Sequence, residues 1–250
     1  MPNEIGSSRK QNSWVPAESA LAASSLTPSA SNWRESKWLA MLEFMLVVAI
    51  FVADWLHFIP LSKTPFLLAL GWASLRLRRR TWRSIGLTRF LTWSTTIALG
   101  VAAGIVLEAF QLLMSQPLLI RLTGKQPDLH DFADLRGNIT LLLIYLALTW
   151  TLAAFGEEMV WRGYLMNRVA DLVGGTRNAW IVSLILVHCA FGLAHLYQGI
   201  TGIIDEGLAG LLLGVLYLTS RRNLSIPIVA HGVTDTIDML LIFLGKYPGM

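Results

Sequence analysis

The sequence predicts an all-α, polytopic transmembrane helix bundle of about seven to eight membrane helices. Of the 250 residues, 54% are hydrophobic and only 14% charged, and the mean hydropathy of +0.54 lies far from soluble averages. Several apolar stretches reach the ~20 residues that a helix needs to cross a bilayer. The single cysteine, Cys189, excludes an intramolecular disulfide and an all-cysteine metal site, so neither can organise the fold.

Residues 1–36 are polar, rich in Ser, Ala and Asn, and lack the apolar centre of a signal peptide; they read as a disordered cytoplasmic tail. Residues 37–250 read as the bundle. Its first span, 37–59, carries Asp54 and His57 near the expected outer end. A short second span, 64–75, follows the prolines at 60 and 65, and a third covers 90–114. The fourth, 137–156, stops where the acidic stretch "FGEEMVWRGY" begins. Spans at 178–196, 200–219 and 224–245 complete the set, the Gly-rich sixth suggesting close helix packing. Trp38, Trp55, Trp72, Trp93 and Trp180 fall near span ends, where indoles suit the headgroup layer. Trp150 does not, and is expected to pack between helices.

Seven spans with the N-terminus inside place fifteen of the twenty Lys and Arg on the cytoplasmic side, the densest group being Arg76, Arg78, Arg79, Arg80, Arg83 and Arg89. Lys63, Arg121, Lys125, Arg136 and Lys246 remain outside. This asymmetry predicts a multi-pass protein with its N-terminus cytoplasmic; a bacterial plasma membrane is the expected location. The net charge of +4 reflects membrane orientation, because the arginines cluster beside apolar runs; no nucleic-acid partner is expected.

Ionisable groups inside spans cost roughly 2.5–3.5 kcal/mol each on insertion scales and usually face a bundle interior or a wet cavity. Three clusters stand out. Glu158 and Arg162 are four apart, with the glutamate first, the favourable order for a helical ion pair. Glu157 is turned about 100° away, free to face a cavity as a general base. "HCAFGLAH" carries His188 and His195, and "HGVTD" carries His231 and Asp235, again four apart. Three helices thus offer parts of one site: Glu157 with His195 to activate water, His231 with Asp235 to bind a carbonyl and its developing oxyanion. The same donors could equally hold a divalent metal such as zinc, through Glu157, His195 and His231. His188 is expected to pack or support, and Asp205 with Glu206 to line an interface or cavity.

Together "EEMVWR" (Glu157 to Arg162), "FGLAH" (Phe191 to His195) and "HGVTD" (His231 to Asp235) resemble the EExxxR, FxxxH and HxxxN/D pattern of the CPBP intramembrane proteases. That family, also called Abi, groups CAAX proteases with bacteriocin-processing proteins, and this chain resembles its CAAX prenyl endopeptidases. The likeness covers residues 135–245, taken as the catalytic core. It implies an intramembrane endopeptidase acting on a membrane-associated or CAAX-like peptide or membrane-protein substrate within the lipid bilayer. Glu157 and His195 would activate water, Glu158 and Arg162 would support the base, and His231 with Asp235 would line the oxyanion site. Asp235 departs from the Asn of eukaryotic and archaeal CAAX enzymes; an ionised Asp cannot donate to an oxyanion. It is either protonated, or orients His231, or helps hold a metal. The alternative reading is a catalytically inactive immunity or signalling partner of the same family.

Overall fold

The computed structural model describes residues 33–60 and 62–248, so the predicted tail up to residue 32 lies outside the described residues. Among them the chain forms helical rods and no strand: α1 (Lys37–Trp55), α2 (Thr64–Leu77), α3 (Trp93–Thr123), α4 (Ile139–Leu172), α5 (Arg177–Leu193), α6 (Gly199–Thr219) and α7 (Ser225–Phe243). There is one rod for each expected span. Five helical stretches are long and apolar enough to cross a membrane, whereas α2 and α5 are shorter, at 14 and 17 residues.

The helix starts follow local chemistry. Ser36, Thr92, Asn138 and Thr176 each accept a backbone N–H of the turn they precede, opening α1, α3, α4 and α5. Pro65 lies in the first turn of α2, where its missing N–H costs nothing.

Two ends differ from expectation. Expected to stop near residue 114, α3 passes through a π-helical turn at Gln111–Ser115 and continues to Thr123. Likewise α4, expected to stop at 156, runs on to Leu172 as a 34-residue helix. Glu158 and Arg162, which suggested a boundary, pair with each other inside the bundle and Glu158 also meets His231, so the helix continues through them. At 1.5 Å per residue α4 is about 50 Å long, well beyond a ~30 Å hydrocarbon layer. Its middle is π-helical, over Thr149–Glu157 and Met159–Met166, and every residue of the second stretch is buried. Single π turns recur at functional sites.

Around that buried stretch the core gathers Leu67, Ile85, Phe191, Tyr217 and Leu224. Large apolar side chains such as Val48, Val106 and Ile185 remain exposed on the outer faces, as a lipid-facing surface requires. Buried Glu43 of α1 joins three rods: its carboxylate accepts from Ser74 at 2.7 Å and Arg78 at 3.0 Å, and Arg168 of α4 stands 3.5 Å away. The last predicted tail residues are tied here too. Trp33–Glu35 forms a short 3-10 turn, Arg34 Nε donates to Leu77 O at 3.1 Å, and Arg78 donates to Arg34 O.

Three close approaches set the register near the centre. Gly192 of α5 meets Gly207 of α6, where a Cβ on residue 192 would come 2.4 Å from Ile203 O. Trp150 of α4 lies over Gly232 of α7 and donates to Thr236 Oγ1 at 3.2 Å, packing between helices as expected. Along α3, Gly100 faces Val229 and Gly104 faces Ala230 and Val233 of α7, with Thr234 Oγ1 donating to Gly104 O at 3.3 Å. Small residues at a spacing of four let two membrane helices touch.

A Cβ on residue 104 would lie 2.5 Å from Ala230 O, a backbone atom that cannot rotate aside. Gly104→Val is therefore expected to destabilise the protein by about 1–3 kcal/mol, read as a lowered thermal midpoint in detergent.

Candidate active site

Two of the expected clusters meet in the interior, and Phe191 of the third packs against them. Glu158 and Arg162 have fully buried side chains, with Arg162 Nη1 2.6 Å from Glu158 Oε1. The guanidinium also donates through Nη2 to Gly210 O of α6 at 2.8 Å and lies over the Phe191 ring of α5, 4.8 Å from its centroid. Gly210 permits this approach, since a Cβ there would stand 2.7 Å from Phe191 and 3.2 Å from Arg162 Nη2.

From α7, His231 Nδ1 reaches the same Glu158 Oε1 at 2.9 Å, and its Nε2 faces Asp235 Oδ1 at 3.5 Å. A carboxylate only accepts, so Nδ1 is the donor to Glu158. The 3.5 Å separation is longer than a good hydrogen bond, leaving Nε2 only loosely engaged. The ring is held chiefly by Glu158, with Asp235 within ion-pair range of its other side.

Sequence spacing correctly separates the two glutamates. Glu158 is sealed in the ion pair, while Glu157 is half-buried, as is His195. His195 sits just beyond α5, where its Nδ1 faces Phe191 O at 2.9 Å. A carbonyl cannot donate, so Nδ1 carries the hydrogen and Nε2 keeps its lone pair for a proton or a water. A file of rings holds the imidazole: Phe51, Trp161, Phe191, His195 and Tyr197 follow one another at centroid distances of 5.7, 5.3, 4.8 and 5.9 Å.

Glu158 and His231 meet although they lie at different distances from the ends of their helices. Glu158 lies about 21 Å from the C-terminal end of α4, whereas its partner His231 lies only about 9 Å from the start of α7, at 1.5 Å per residue. The α4–α5 hairpin accordingly projects past the N-terminus of α7. His188 packs: it is buried, Nδ1 meets Leu184 O at 2.5 Å, and a Cβ on Gly214 would strike its ring. Asp205 accepts from Ser115 at 2.5 Å and Gln111 at 3.3 Å of α3. Glu206 accepts from Gln198 at 3.3 Å.

Glu157, His195 and His231 do not converge as metal donors. Among the described residues no three His, Cys, Asp or Glu side chains are grouped closely enough to hold an ion, and both ring nitrogens of His231 face carboxylates. Sequence reasoning missed two buried acids, Glu43 and Glu108, and the half-buried Asp238. Gly100, Gly104 and Glu108 share one spacing, a signal that this carboxylate faces a helix rather than lipid.

Residues 139–237 match the family model described as Rce1-like, "Type II CAAX prenyl endopeptidase Rce1-like". The matched segment contains all three clusters, and it bears out the resemblance to CAAX-type intramembrane proteases read from them. Comparison with curated proteins and with solved structures found no match.

Removing one partner of a buried ion pair strands the other charge. Glu158→Leu and Arg162→Met are each expected to cost about 3–5 kcal/mol, while the double variant Glu158→Leu/Arg162→Met costs less than the sum. A double-mutant cycle of unfolding free energies in detergent checks this, and additive losses would contradict it.

Proposed function

We propose that this chain, proceeding from the CAAX-protease family match of its residues 139–237, is an intramembrane endopeptidase that hydrolyses a peptide bond of a membrane-associated or CAAX-like substrate. The observation that carries the reading is the division of labour between adjacent glutamates: Glu158 is locked against Arg162 and His231, while Glu157 stays half-buried outside that ion pair.

Water lies between Glu157 and the free Nε2 of His195. Glu157 takes its proton as the oxygen attacks the substrate carbonyl carbon, and the carbonyl electrons move onto oxygen. His231, as an imidazolium with Nδ1–H held by Glu158, turns its Nε2–H from the long contact with Asp235 to donate to that oxyanion. Collapse breaks the C–N bond, and Glu157 returns the proton to the leaving amine. Glu158 and Arg162 act through position: they fix the helix turn that presents Glu157 and the ring that meets the oxyanion. The chemistry uses the chain's own carboxylate and imidazoles. The same reading makes the protein an integral multi-pass enzyme with the bilayer around it, its N-terminus in the cytoplasm of a bacterial cell.

Purified protein in liposomes, given a farnesylated CAAX peptide and its unprenylated counterpart, tests both activity and substrate class. Glu157→Gln and His195→Ala are expected to lower the rate by about 10²–10⁴-fold with the thermal midpoint retained. Full activity in both variants would overturn the roles assigned. Chelation is expected to leave the rate unchanged; loss with recovery on adding zinc would move the water onto a metal.

A further inference from the structure

A second group of acids lies between α3, α6 and α7. Glu108 of α3 is 3% exposed, and no donor reaches either of its carboxyl oxygens. Across the seam stands another carboxyl group, Asp238 of α7, near enough for the two side chains to share a hydrogen bond once one of them is protonated, and Asp238 Oδ1 likewise meets no donor. The glycine seam puts them together: Gly104 meets Thr234, and each acid follows four residues later on its helix.

The charges acting most strongly on the pair are all negative. Asp235 faces it from α7, Asp205 and Glu206 face it from α6, and the Tyr247 phenol of the C-terminal segment senses both members. Asp205 has its own donors in Ser115 and Gln111. An ionised carboxylate only accepts hydrogen bonds, so two in contact need a proton between them. Two negative charges sharing a site away from water repel strongly.

We propose that Glu108 and Asp238 share one proton, and that this protonated pair clamps α3 to α7 as a positioning device for the turn that holds Asp235 against His231. Asp238 follows Asp235 by three residues, nearly one turn along α7. Loss of the proton as pH rises places a second negative charge in the seam and pushes the helices apart. The positioning role rests on the endopeptidase reading; the shared proton does not.

Infrared spectroscopy of the purified protein separates the two. The wild type is expected to show a deuterium-sensitive band of a buried protonated carboxyl group, absent from Glu108→Gln/Asp238→Asn, whose amides keep a hydrogen bond without a titrating proton. In peptidase assays the wild type is expected to show an alkaline limb of unit slope in log rate against pH, missing from the double variant, which retains wild-type activity at neutral pH. Glu108→Gln alone serves if the double variant does not fold. A wild-type spectrum without the band overturns the shared proton, and identical pH profiles overturn the positioning role. A thermal shift specific to NaCl over choline chloride, lost in the variant, would overturn the proposal by assigning these oxygens to a metal cation. An inactive preparation that keeps the band would overturn the endopeptidase reading and leave the shared proton standing.

Discussion

The buried pair of Glu158 and Arg162 is the constraint on which the rest of the bundle depends. Taking two charges out of water costs several kcal/mol per ion, and only good geometry with further hydrogen bonds offsets that. Here the offset comes from other rods: a carbonyl of α6, a ring of α5 and an imidazole of α7 all converge on the pair carried by α4. Its electrostatic satisfaction is therefore the same event as helix assembly. Gly210 is small because the guanidinium needs its carbonyl, and Phe191 is aromatic where a cation lies over its face.

Chemistry was more legible in the sequence than geometry. Spacing of four residues identified Glu158 with Arg162 and His231 with Asp235, and the angular offset of neighbouring helix positions singled out Glu157. Those are local relations that a regular helix dictates. The length of α4 was hidden because charges normally end an apolar run, and nothing local reveals that their partners come from α5, α6 and α7. The same holds for Glu43 and Glu108. Each looks like an isolated acid in a hydrophobic span, and only tertiary packing brings Ser74 and Arg78 to one and Asp238 to the other.

The basic residues that suggested a topology also have structural work. Arg78 and Arg168 gather at Glu43, and Arg80 pairs with Asp171 at 2.9 Å. Nearby, the segment after α2 seals against the α6–α7 turn. Tyr217 OH donates to Ile85 O at 2.9 Å, Leu224 N donates to Gly86 O at 2.8 Å, and Asn223 and Ser225 both reach Thr88 O. Gly86, at φ +107°, accepts a conformation that a side chain would resist, and a Cβ would collide with Arg222 O. These contacts brace the start of α7, from which His231 is counted.

The overhang of α4 makes the rim of the bundle uneven. On one side the α4–α5 hairpin extends further, and on the other the chain turns early into α7, where the segment after α2 covers the turn. A bundle with such a step exposes different lengths of helix to the headgroup layer on its two sides.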